Sequence, residues 1–85
     1  MSRMRKGAVQ IRFEILEFLY FHGGPQLRTF IWRKATSLSY DDFLKHLAYL
    51  REKELIEESA DGSCKITEKG RKVYNELQNA LSSIL

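Results

Sequence analysis

Eighty-five residues, 44% hydrophobic and 29% charged, describe one small globular domain and exclude a disordered chain. No run approaches the roughly 18 apolar residues of a membrane span, and the basic opening residues lack the apolar stretch of a signal peptide, which points to a cytoplasmic protein. The net charge of +3 is unevenly placed: residues 1–34 carry seven basic and two acidic side chains, residues 35–85 seven basic and nine acidic, so the first half suits a polyanion-facing surface.

In chain order, residues 1–7 read as a flexible basic arm containing Arg3, Arg5 and Lys6. A helix is predicted over 8–21, ended by Gly23-Gly24-Pro25. Ile11, Ile15, Phe18 and Leu19 form one apolar stripe on it, and Val9, Phe13, Leu16 and Tyr20 form a second on roughly the opposite side. A helix apolar almost all round is normally buried all round, and a chain this short buries only roughly 60–65% of its unfolded surface. The second stripe, joined by Leu77 and Leu81 from the last helix, is therefore expected to be the interface of a homodimer. A short helix follows over 26–35, with Leu27, Phe30 and Ile31 inward and Trp32 off that arc, at the core rim or a dimer contact.

Leu38 in the turn Thr36-Ser37-Leu38 is placed to plug the corner between two helices. Ser39 is a good N-cap for a helix over 39–53, with Asp42 completing a capping-box-like pair. Phe43, Leu44, Leu47 and Leu50 share its inner face, which leaves Asp41, Lys45, His46 and Tyr49 largely outside. Two strands over 55–66 are joined across Asp61-Gly62, a strong hairpin signal. Thr67 then caps a helix over 68–85 striped by Val73, Leu77, Ala80, Leu81 and Ile84. The fold class is α+β, mostly α: a three-helix core, a two-stranded wing and a C-terminal helix, all in one domain over 8–85. A helix followed at once by a hairpin is the layout of a winged helix-turn-helix, which puts the helix before the wing into the DNA major groove.

Leu38-Ser39-Tyr40, Leu47, Leu50, Lys53-Glu54-Leu55-Ile56-Glu57 and Ile66-Thr67-Glu68-Lys69-Gly70-Arg71, with Arg12-Phe13-Glu14-Ile15-Leu16 and residues 29–35 earlier, resemble the winged helix-turn-helix regulators common in archaea and their viruses. The resemblance implies a protein that binds double-stranded DNA, usually as a dimer, as a transcription regulator or a small chromatin-type protein. Two positions depart from it. Glu54 stands where glycine is frequent, which predicts a less sharply turned corner between helix and strand. Asp41 and Asp42 put negative charge at the front of the expected recognition helix. Asp42 reads as a cap stabilised by the helix dipole, while Asp41 either accepts from a cytosine amino group or repels phosphate.

DNA recognition needs cations and donors for phosphates and directional side chains for base edges. Arg28, Thr29, Arg33 and Lys65 are the phosphate candidates, with Arg3, Arg5 and Lys6 as a minor-groove arm. Ser39, Tyr40, Lys45, His46 and Tyr49 are the base-edge candidates. The alternatives are packing of Tyr40 and Tyr49 against the second helix, a solvated His46, and Trp32 as a base-stacking group. His22 is placed to meet free carbonyls at the end of the first helix. Enzymatic readings find no glycine-rich phosphate loop, paired carboxylates or activated nucleophile. Cys64, His22 and His46 lack metal-ligand spacing, so no metal or cofactor is expected, and no small-molecule ligand is evident. Cys64 has no internal partner and reads as a strand thiol or as half of an intermolecular disulfide. A sequence-indifferent architectural DNA protein and a protein-interaction module are the competing functions.

Overall fold

The glycines after the first apolar stretch end helix α1 (Ala8–His22) as expected: Gly23 turns left-handed at φ 73° and donates to the Leu19 carbonyl. His22 Nδ1 donates to the Phe18 carbonyl at 2.8 Å, closing the last turn. The computed structural model describes residues 7–84; Arg3, Arg5 and Lys6, with the rest of the expected arm up to residue 6, lie outside the described residues.

The second helix starts later than its sequence suggests. Gln26–Leu27 form a short strand, β1, and α2 covers Arg28–Ala35. β1 pairs antiparallel with β3 (Ser63–Ile66), which also pairs with β2 (Ile56–Glu58), giving the order β1-β3-β2. Covering the open edge of β3 satisfies its backbone groups, and that gain outweighs helix propensity at two residues. The expected two-stranded wing is thus part of a three-stranded sheet. Leu27 and Phe30, expected inside, are exposed, whereas Ile31 is fully buried.

Helix α3 (Tyr40–Glu52) opens at Ser39, whose Oγ accepts from the Asp42 N–H at 3.3 Å. Its buried residues Phe43, Leu47 and Leu50 meet Ile15, Leu19, Ile31, Ile56 and Ile66 in one core. The corner after α3 is sharp despite the absence of glycine: Glu54 itself takes φ 63°, and the Leu55 N–H returns to the Leu50 carbonyl at 3.0 Å. The expected looser corner is therefore not found; a left-handed Glu54 costs about 1–2 kcal/mol and is held by the bonds around it. The wing tip is a short loop in which Gly62 (φ 86°) closes on the Ser59 carbonyl while Asp61 accepts from the N–H and hydroxyl of Ser63.

Thr67 starts α4 (Glu68–Ile84): its hydroxyl donates to the Glu54 carbonyl at 2.7 Å and accepts from the Gly70 N–H at 3.0 Å. α4 then lies along the second apolar side of α1. Buried Tyr74 stacks on Phe13 (5.1 Å between ring centroids) and packs tilted against Tyr20 (4.6 Å), and its hydroxyl donates to Glu17 at 2.9 Å. Burial, then the Glu17 carboxylate, pushes the Tyr74 hydroxyl up to about 12. This docking corrects the expected dimer face. Leu16 is 2% exposed and belongs to the core, and Tyr20 is half-buried under α4. Val9, Phe13, Leu77 and Leu81 remain and line one apolar groove between α1 and α4.

Candidate nucleic-acid interface

The outward stripe of α3 repeats at helical spacing through Asp41, Lys45 and Glu52, all exposed, with Tyr49 beside it. Ser39 caps the helix at the end where this stripe begins. The Asp42 carboxylate faces Lys45 Nζ at 4.0 Å, so Ser39 provides the cap and Asp42 its target N–H and local charge. Lys45 keeps 80% of its side chain exposed.

The aromatic candidates divide between two neighbours. Tyr40 packs edge-on against Trp32 of α2 at 5.1 Å, and Trp32 Nε1 donates to the Leu38 carbonyl at 2.7 Å. Trp32 therefore braces the helix-turn-helix corner from the core rim, with Leu38 half-buried beneath as the expected plug. Tyr49 does not pack on α2; its ring lies under the Arg12 guanidinium of α1 at 3.6 Å, with Lys53 Nζ 5.6 Å from the ring centre. Arg12 Nε also donates to His46 Nδ1 at 3.3 Å, which makes His46 a half-buried bridge to α1 instead of a solvated residue.

Burial, then the Arg12 charge, lowers the His46 pKa from its ordinary 6.5, against an opposing pull from Asp42. A histidine whose folded pKa lies below its unfolded one stays neutral in the fold while the unfolded chain takes up the proton first. Its contribution to stability is therefore complete above 6.5 and declines as pH falls below it. Denaturant melts across that window should show this decline in the native protein and a shallower one in His46→Gln. Equal slopes would show that the Arg12–His46 contact does not govern the titration.

The cations chosen for phosphates from sequence are unequal in the fold. Arg28 meets Glu58 at 3.0 Å, and Arg51 meets the same carboxylate at 2.6 Å. Glu58, the last residue of β2, thus holds two arginines beside the loop of the wing. Lys65 faces its cross-strand partner Glu57 at 3.2 Å, an exposed pair worth little and easily opened. Thr29, Arg33 and Lys34 stand exposed on α2. Sequence reading missed Arg12 and Lys53, because nothing local says that the first helix lends a cation to the third.

Cys64 is buried within β3, and its burial, then the Glu58 charge, pushes the thiol up to about 11. A protonated, enclosed thiol is a poor partner for an intermolecular disulfide. Among the described residues no His, Cys, Asp and Glu group is arranged to hold a metal ion, and no helix is long and apolar enough to cross a membrane.

The fold is similar to that in the crystal structure of AF1382 from Archaeoglobus fulgidus, with a TM-score of 0.74 over 88% of each chain; at 17% identity this likeness speaks for the fold alone. No curated protein sequence matches the chain. Residues 5–84 match the winged helix-turn-helix family. A helix-turn-helix closed by a wing, matched over nearly the whole length, means that the chain belongs to the winged helix-turn-helix family, and this membership implies DNA binding.

Proposed function

We propose that the protein is a sequence-specific regulator of transcription that binds double-stranded DNA as a homodimer, with α3 in the major groove and the wing along the backbone. The observation that carries this reading is the outward stripe of α3. Its apolar side is locked into the core, while Lys45 projects outward with the Asp42 carboxylate 4.0 Å from its Nζ. A helix meant to coat any duplex gains from unbroken positive charge; Asp41, Asp42 and Glu52 oppose that use and favour contacts in which only the right base edge compensates. Lys45 is suited to guanine O6 and N7, Asp41 to a cytosine amino group, and Ser39 and Tyr49 to flanking contacts. Thr29 and Arg33 of α2 serve phosphates, as does Lys65 once its pair with Glu57 opens.

Lys45→Ala should relax sequence preference at one base position, costing about 1–3 kcal/mol on the selected site and little on scrambled DNA. Titration of selected and scrambled duplexes at several salt concentrations checks this. Equal affinity of the native protein for both duplexes would move the reading to an architectural protein. No binding to either at low salt would leave a protein-interaction module.

The dimer rests on the groove between α1 and α4, about 580 Å³ in volume and lined by Val9, Phe13, Leu77 and Leu81. Val9 is 71% exposed and Leu81 48%, and they face one groove, whereas the exposed Phe21 and Leu27 lie outside it. A second copy presenting the same groove about a two-fold axis would cover both at once.

A further inference from the structure

We propose that Arg12 and Lys53, which share the Tyr49 ring, form a phosphate-binding clamp where α1 meets α3. This inference rests on the DNA-binding reading and assigns to that interface a strand contact from the first helix. Arg28, Arg51, Lys65 and Lys45 each have a carboxylate within 4.0 Å, so part of their charge is already answered. Arg12 is engaged differently. Its guanidinium lies flat over Tyr49 at 3.6 Å and its Nε donates to His46 Nδ1 at 3.3 Å, and neither partner is an anion. Lys53 Nζ stands 5.6 Å from the centre of the same ring.

Arginine carries five N–H donors in a rigid fork, and only Nε is used here among the described residues. The terminal nitrogens remain available to phosphate oxygens. The stack and the imidazole bond hold the fork in place, so little side-chain freedom is lost when an anion arrives. Lys53 is the C-cap of α3, four residues after Tyr49, so the clamp lies on the flank of the outward stripe at the helix's C-terminal end. A strand bordering a groove that admits α3 would pass that flank. The cluster also answers a deficit: α3 opens with two aspartates, while the arginine at the start of α2 is tied to Glu58.

The test uses the full chain and a duplex carrying its selected site, titrated across roughly 50–200 mM salt. Arg12→Gln and Lys53→Gln should each lower the slope of log Kd against log salt by about 0.9, the release expected for one phosphate contact. Each should also weaken specific and scrambled duplexes alike, by about tenfold. Lys72→Gln, which removes the same charge from an exposed position of α4, should leave the slope unchanged. Arg12→Lys should restore the slope while recovering only part of the affinity, since it keeps the charge and loses the fork. If Arg12→Gln fails to fold, Lys53→Gln and Arg12→Lys carry the test. An unchanged slope in Lys53→Gln together with native affinity in Arg12→Lys, with the native protein still binding DNA, would overturn the clamp and leave the DNA-binding reading standing. Absence of any DNA binding by the native protein would overturn both.

Discussion

Gly70→Ala is expected to lower the free energy of unfolding by about 3 kcal/mol, although alanine is the better helix former by about 1 kcal/mol. Gly70 is buried in the first turn of α4, where that helix crosses the corner between α3 and β2. A Cβ there would overlap the Leu55 carbonyl oxygen and come within 2.7 Å of Ile66 Cγ1 and 3.0 Å of the Leu55 carbonyl carbon. The oxygen cannot simply move aside, because it accepts the Thr67 N–H at 3.0 Å. The adjacent Glu54 carbonyl is tied to the Thr67 hydroxyl, and that hydroxyl also caps Gly70. Relief would require lifting α4 from the corner, which breaks these bonds together and disturbs the seat of Tyr74. For a domain of this size, 3 kcal/mol corresponds to a fall in melting temperature of roughly 12–24 °C. Thermal and denaturant melts measure it directly. A melting temperature unchanged or raised in Gly70→Ala would show that the corner yields and that helix propensity decides.

The same corner shows what could be read without coordinates. Ser39, Asp61-Gly62 and Thr67 act on backbone groups within three residues of themselves, so the order of helix, hairpin and helix over 39–70 was open to inspection. Glu54 was legible as unusual but not in its consequence: the surrounding bonds force the turn, and the residue adopts it. β1 was hidden because its partner lies far along the chain, with Gln26 opposite Cys64. The second apolar side of α1 was recognised as needing a cover, but two covers fit the pattern, another copy or the last helix. Gly70, Tyr74, Leu77 and Leu81 fall on one side of α4, and a tyrosine on that side is the signal that could have shown α4 docking on α1. At the candidate interface the difficulty was charge pairing. Whether Arg28 faces solvent or Glu58 depends on two segments meeting in space, and composition carries no trace of it.

Leu81→Asp should convert a dimer to a monomer and weaken binding to a two-half-site duplex by roughly a hundredfold or more. The groove between α1 and α4 remains after α4 has covered Leu16 and part of Tyr20, and its exposed members are Val9 at the start of α1 and Leu77 and Leu81 on α4 beyond Tyr74. At 1.5 Å per residue, Leu81 stands about 10 Å further along the helix than Tyr74, past the point where α4 seals the core. Because it is about half exposed, an aspartate there costs the isolated chain little, within the usual range for surface positions. In a dimer the same carboxylate would be buried against an apolar partner surface with no cation beside it, which costs several kcal/mol. Loss of pairing then removes the gain from tethering two recognition helices, which amounts to 10²–10⁴ in affinity for linked sites. The added negative charge could by itself weaken DNA binding, and Leu81→Asn separates the two effects: it is neutral and still disrupts an apolar contact. Sedimentation at micromolar concentration and titration of one-site and two-site duplexes are the measurements. The dimer is refuted if the native protein sediments as a monomer, or if Leu81→Asp stays dimeric. A one-site duplex bound equally by native protein and both variants would place the whole loss in the coupling between copies, with each α3 still able to read its own half-site.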